Sequence, residues 1–169
     1  MTYAYRGEDG PIGGKPGRTP GDVKKAGGFK PWKSDSIETS RANLRQLVAN
    51  GTLAVQAELW CLGKKRENGW FFSSGLDEAT AYDTYQYFYR FDITGLVLQP
   101  WSVLGQGDVA KMKLYLDNND LDRATKIAVI WTPRPKELLV MSPVKVPSIE
   151  LRTQEKPEKW LKLQDYTGP

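Results

Sequence analysis

The sequence contains no histidine and a single cysteine, Cys61. Without an imidazole there is no Ser-His-Asp or Cys-His nucleophile system, no histidine general base and no histidine metal ligand. One thiol cannot close an intrachain disulfide or build a thiolate cluster for zinc. No apolar run approaches the roughly 18–20 residues that cross a bilayer, which excludes a helical membrane span. Met1 to Arg6 show no basic stretch leading into an apolar core, so no Sec signal is expected. Chemistry is left to carboxylates, hydroxyls, arginines or a bound cofactor.

What is present suits one α+β domain of 169 residues, with 40% hydrophobic and 26% charged residues. The formal net charge is +4, and residues 1–33 hold seven basic groups against three acidic ones, so the excess sits at the N-terminus. Glycines and prolines punctuate residues 7–31 too densely for a long element. The exception is a short helix with Thr19 as N-cap, Pro20 at its first position and Gly27 as its stop. Helical spacing predicts further helices over Ser36–Asn50 and Thr52–Leu62, then a charged turn from Lys64 to Gly69. The apolar period then changes. Trp70-Phe71-Phe72 reads as a strand that stops at Ser73-Ser74-Gly75, and Asp77 to Asp83 as a short acidic helix. Tyr85 to Ile93 alternates as a strand. A short helix is expected near Val109–Leu116, with apolar runs at Lys126–Trp131 and Leu138–Met141 and a last strand at Ser148–Arg152. Residues 153–169 read as a polar tail. Helices followed by strands, without regular βαβ alternation, argue for α+β.

Several groups invite a functional reading beside an ordinary one. Gly13-Gly14-Lys15 lacks the Walker spacing and a preceding strand, which disfavours a nucleoside-triphosphatase. Lys24, Lys25, Lys30 and Lys33, interleaved with Phe29 and Trp32, suit phosphate contacts and base stacking, but a solvated loop is the favoured reading. The tyrosine strand offers a sugar or base platform, yet strand spacing favours one buried sheet face. Arg6 follows Tyr3-Ala4-Tyr5, a short alternating first strand. A guanidinium there is costly unless its donors meet anions, and a plain surface arginine fits equally well. Ser73-Ser74 reads in isolation as a turn, or as hydroxyls serving a carboxylate. Glu137 leads into Leu138-Leu139-Val140, either as a strand-flanking charge or as the acid of a cleft.

Taken in order, these points resemble a family. Tyr5-Arg6-Gly7-Glu8-Asp9 followed by Thr19-Pro20-Gly21-Asp22-Val23-Lys24-Lys25-Ala26-Gly27-Gly28-Phe29 is similar to the opening of cholera-toxin and pertussis-toxin type mono-ADP-ribosyltransferases. Phe71-Phe72-Ser73-Ser74-Gly75 resembles their aromatic strand ending in Ser-Thr-Ser, and Tyr87-Phe88-Tyr89-Arg90-Phe91 their downstream sheet strand. Glu137-Leu138-Leu139-Val140, then Val146-Pro147-Ser148-Ile149-Glu150-Leu151, resembles the catalytic glutamate and the strands around it. The resemblance spans residues 3–152. Pro135 stands where the family has a Glu or Gln that engages the acceptor, a departure that bears on the acceptor more than on NAD cleavage.

The resemblance implies a split core of two antiparallel sheets with N-terminal helices, and an enzyme that cleaves the nicotinamide–ribose bond of NAD and transfers ADP-ribose. Glu137 would stabilise the ribosyl cation and hold a ribose hydroxyl, with Ser73 and Ser74 orienting it. Arg6, beside Gly7, would bind the ribose or diphosphate, Glu8 would reach the adenosine end, and Trp131 and Arg134 would recognise the target. No metal is called for. The expected partner is a macromolecular acceptor, most readily a protein, with an immunity protein or delivery subunit possible and nucleic acid an alternative acceptor. The expected setting is secretion or delivery into a target-cell cytosol. The rival reading is a nucleic-acid-binding module without catalysis.

Overall fold

The computed structural model describes residues 1–64, 66–81, 84–97, 103–104 and 136–169. In chain order the elements are β1 (Tyr3–Glu8), α1 (Pro20–Lys25), β2 (Gly28–Phe29), α2 (Ile37–Ala49), α3 (Leu53–Cys61), β3 (Phe72–Gly75), β4 (Tyr87–Asp92), α4 (Thr94–Val97), β5 (Val103–Leu104), β6 (Glu137–Val140), β7 (Val144–Lys145), β8 (Ile149–Thr153) and β9 (Lys156–Lys162). This is a mixed α+β arrangement whose described strand registers are antiparallel. The chain divides into two compact units: Met1–Phe29, Ser74–Ile93 and Val144–Pro169 in the first, Lys30–Ser73 and Thr94–Pro143 in the second.

In the first unit β1 lies between β3 and β4, and β8 and β9 continue the sheet. Cα partners run Tyr5↔Arg90↔Glu150↔Lys162 and Arg6↔Tyr89↔Leu151↔Leu161. Because strand side chains alternate, these two rows face opposite sides. One side is the core, where Ala4, Tyr89, Phe91, Ile149 and Leu151 are fully buried with Val23, Phe29 and Leu163. The other side carries a stack of guanidiniums and rings. Arg90 sits 4.5 Å from the Tyr3 centroid and 4.4 Å from that of Trp160, and Arg152 sits 4.8 Å from Phe88. Glu150 and Glu78 neutralise these two arginines. A second, two-stranded sheet pairs β2 with β7.

Local chemistry explains α1. The Thr19 hydroxyl accepts from the Asp22 amide, and the Asp22 carboxylate accepts from the Thr19 amide, which is a reciprocal capping box before Pro20. Lys24 in the last turn donates to the carbonyls of Gln164 and Tyr166 at 3.0 and 2.9 Å. The residues after Arg152 are therefore no mere polar tail: β9 pairs with β8, and Leu163 is buried.

In the second unit Ser36 caps α2 by accepting from the Thr39 amide at 3.1 Å. Ser40, Leu44 and Leu47 bury one face of that helix, and the Ser40 hydroxyl donates to the Met141 carbonyl at 2.7 Å. β6 is buried at all four positions and pairs with β5 as Val103↔Val140 and Leu104↔Leu139. Burial without alternation marks a strand covered on both faces.

Two further expectations need correction. Ser73, Ser74 and Gly75 belong to β3 rather than ending it, because the pairing Tyr5↔Gly75 extends the strand along β1. Asp77 opens a turn, not a helix: its carboxylate accepts from the Thr80 amide at 2.8 Å, which offers the backbone a local alternative. The readings at 109–116 and 126–131 lie outside the described residues.

Candidate functional site

Arg6 and Glu8 share a face of β1, and Arg6 Nε donates to Glu8 Oε1 at 2.8 Å. The same carboxylate accepts from Arg18, through Nε at 3.2 Å to Oε2 and through Nη2 to Oε1. Both guanidiniums lie over the Phe29 ring, at 5.5 and 5.4 Å from its centroid. Phe29 in turn meets Tyr89 edge-on at 5.1 Å. One acid and one ring thus hold two arginines in a single corner. The Tyr89 hydroxyl is buried there and has no hydrogen-bond partner among the described residues. Burial pushes its pKa well above the ordinary phenol value, the Glu8 charge adds to this, and the group stays protonated.

Beside this corner Gly7–Gly10, Arg18 and Tyr85 line a cleft of about 650 Å³. A small hairpin closes it. Ile12 and Lys15 exchange backbone hydrogen bonds of 3.3 and 2.9 Å around Gly13 and Gly14, whose φ of 57° and 78° give the two-residue turn that suits strand twist.

In the second unit Glu137 heads β6. Its side chain is buried, at 7% exposure, and Oε2 has no hydrogen-bond partner among the described residues. Ser73 Oγ accepts from the Trp60 indole at 2.8 Å, and Trp60 packs edge-on against Phe71. Ser74, next along β3, points to the other face by the period of the strand. Its hydroxyl is buried and has no hydrogen-bond partner among the described residues.

Of the residues singled out in the sequence, Arg6, Gly7, Glu8 and Ser74 fall in the first unit, and Ser73 and Glu137 in the second. Trp131 and Arg134 lie outside the described residues. Arg6 is neither a surface arginine nor an open one. Glu150, the other acid in the motif region, is occupied by Arg90. Within the tyrosine strand Tyr87 and Tyr89 are buried on the core face, whereas Tyr85 lies ahead of β4 and lines the cleft. The basic arm separates by function: Phe29 is buried, Lys24 is bound to carbonyls, and Lys33 lies 3.9 Å from the Trp70 ring. Only Trp32, 84% exposed, offers an open ring there. Sequence reasoning missed Arg18, although its place directly before the Thr19 cap fixes it at the end of the hairpin loop.

A scan against protein-family models finds none that matches the chain, and a search of curated proteins finds no match either. Among the described residues no helix is long and apolar enough to cross a membrane, and no cluster of Cys, Asp and Glu is placed to hold a metal ion.

Proposed function

We propose that this chain is an NAD-dependent mono-ADP-ribosyltransferase domain with the split two-sheet fold of that enzyme class. The observation that carries the reading is Glu137: a carboxyl buried at a strand head with an oxygen that no described group satisfies. Burying such an oxygen costs about 1–3 kcal/mol, which a folded chain tolerates at a site whose partner is a ligand. Cleaving the nicotinamide–ribose bond sends the bonding pair to the nicotinamide nitrogen and builds positive charge on the ribose. A carboxylate stabilises that charge, as in other glycosyl transfers, and accepts from a ribose hydroxyl. The acceptor then adds to the ribose carbon and loses its proton.

The Arg6 corner supports the same reading. Its guanidinium is already aimed and needs little reordering to meet a diphosphate, and Arg18 supplies a second fork of the same geometry. Ser73 serves as a hydroxyl donor on β3, with Ser74 on the opposite face of that strand, and Trp131 and Arg134 serve as acceptor contacts. The acceptor is a macromolecule, most readily a protein, reached after secretion or delivery into a target cell. An immunity protein or a delivery subunit is a further partner of the same reading, distinct from the acceptor.

A nucleic-acid-binding module is the second reading, and exposed Trp32 between Lys30 and Lys33 is the observation that favours it. Incubation with adenine-labelled NAD and cell lysate separates the readings. Label on protein supports the first, and label on nucleic acid keeps the enzyme but changes the acceptor. Absence of any NAD consumption, together with steeply salt-dependent nucleic-acid binding, supports the second.

A further inference from the structure

Tyr89 carries a hydroxyl that the proposed function leaves unused. The residue is fully enclosed, and its O–H has no hydrogen-bond partner among the described residues. A use for that donor lies on the same sheet face. Cα partners pair Arg6 with Tyr89 and Glu8 with Tyr87, so Glu8 and Tyr89 are diagonal neighbours across β1 and β4. Diagonal neighbours lie roughly 7–8 Å apart, within reach of aromatic and long side chains. Phe29 packs edge-on against Tyr89 and also lies under both guanidiniums that Glu8 accepts from. Among charged groups, Glu8 and then Arg18 act most strongly on the phenol.

The two arginines on Glu8 are not held alike. Arg6 stands on β1 two residues from its acceptor, with a side chain 25% exposed. Arg18 reaches Glu8 from the loop ahead of α1, is 42% exposed, and lines the cleft of about 650 Å³ together with Lys15. A half-exposed ion pair is a weak tie, whereas a buried donor without a partner is costly to keep. We infer that Glu8 is the seat of a partner exchange: Arg18 leaves it to clasp a phosphate in the cleft, and the Tyr89 hydroxyl donates to the carboxylate oxygen that Arg18 vacates. Glu8 then loses one donor and gains another, and the phenol acquires the bond it lacks. Tyr89 is a positioning residue, because it acts on the ligand through Arg18. Arg6 keeps its bond to Glu8 throughout, and the phenol remains protonated. The exchange rests on the proposed function in taking the ligand to be a diphosphate.

The experiment compares the whole chain with Tyr89→Phe, Arg18→Ala and the double variant, with inorganic pyrophosphate and ADP-ribose as probes. Urea titration without ligand comes first. Tyr89→Phe should leave the wild-type midpoint unchanged or raise it, because the lost hydroxyl bonds to nothing there. In the Arg18→Ala background the vacated oxygen already engages the phenol, so the same substitution should lower the midpoint. A purely structural role for Tyr89 predicts no such change of sign. Calorimetry then reads the ligand. Tyr89→Phe should weaken ADP-ribose binding about tenfold, the scale of one hydrogen bond, and Arg18→Ala should weaken both probes. With Arg18 gone, Tyr89→Phe should add no further loss. The same effect of Tyr89→Phe on the urea midpoint in both backgrounds overturns the exchange and leaves the proposed function standing. ADP-ribose binding that ignores either single substitution does the same. Failure of folded wild type to bind ADP-ribose overturns both.

Discussion

Glu8 and Glu137 are two glutamates withdrawn from solvent, one in each unit, and they are satisfied to opposite degrees. Glu8 accepts from two arginines whose guanidiniums share one aromatic ring, so its charge serves to aim its neighbours. Glu137 keeps an oxygen that nothing described meets, at the head of a strand buried at every position. The first pattern is that of a positioning residue, whose removal disturbs structure before chemistry. The second is what the proposed function asks of a group held for a ligand, whose removal would disturb chemistry and spare structure. The same residue type is therefore satisfied in two different ways.

Four variants break or sharpen that contrast. Glu137→Gln should lower nicotinamide release from NAD by about a thousandfold or more, because a transition-state charge loses its counter-charge. Its melting temperature should hold or rise, since an amide costs less to bury than a carboxylate. A variant that is both inactive and unstable would place Glu137 with Glu8. Gly28→Ala attacks the first corner from the backbone. Gly28 has a φ of 118°, and a Cβ there would come within 2.0 Å of the Val144 carbonyl oxygen. The β2–β7 pair that carries Phe29 would have to yield, at about 3 kcal/mol in denaturant titration. Glu8→Ala should cost about 2 kcal/mol in the same titration, because two guanidiniums lose their shared acceptor. Equal stability to wild type would show that the Glu8 contacts do no structural work.

The smallest effect is a pH dependence. The Thr19 amide, then the Thr19 hydroxyl, hold the Asp22 carboxyl below its ordinary value of 3.8. A carboxyl whose pKa is lower folded than unfolded stabilises the fold fully above the unfolded value. That contribution is lost as pH falls through the folded one. Urea midpoints of wild type and Asp22→Asn should therefore differ at pH 6 and draw together as pH falls below the unfolded value. A difference that does not shrink on acidification would assign it to something other than the capping charge.

Much of the local structure was legible because it is fixed by neighbours in sequence. Thr19-Pro20 and Ser36 carry their own caps, and Tyr89 to Asp92 alternates between buried and more open positions. The misreadings occurred where a distant partner decides. Ser73-Ser74-Gly75 looks like a turn until β1 pairs with it, and residues 156–162 look like a tail until β8 does. The candidate site was legible as residue types but not as partnerships. Nothing local to Glu8 announces Arg18, ten residues on, and nothing local to Glu150 announces that Arg90 occupies it.

The central claim is that a chain without histidine, with one thiol and with no metal in its proposed mechanism uses a buried glutamate to open the glycosidic bond of NAD. Steady-state release of free nicotinamide by the wild-type chain alone, with water as acceptor, tests it most directly. The account predicts turnover well above the rate in buffer. Folded protein that leaves NAD intact over the same period would contradict it.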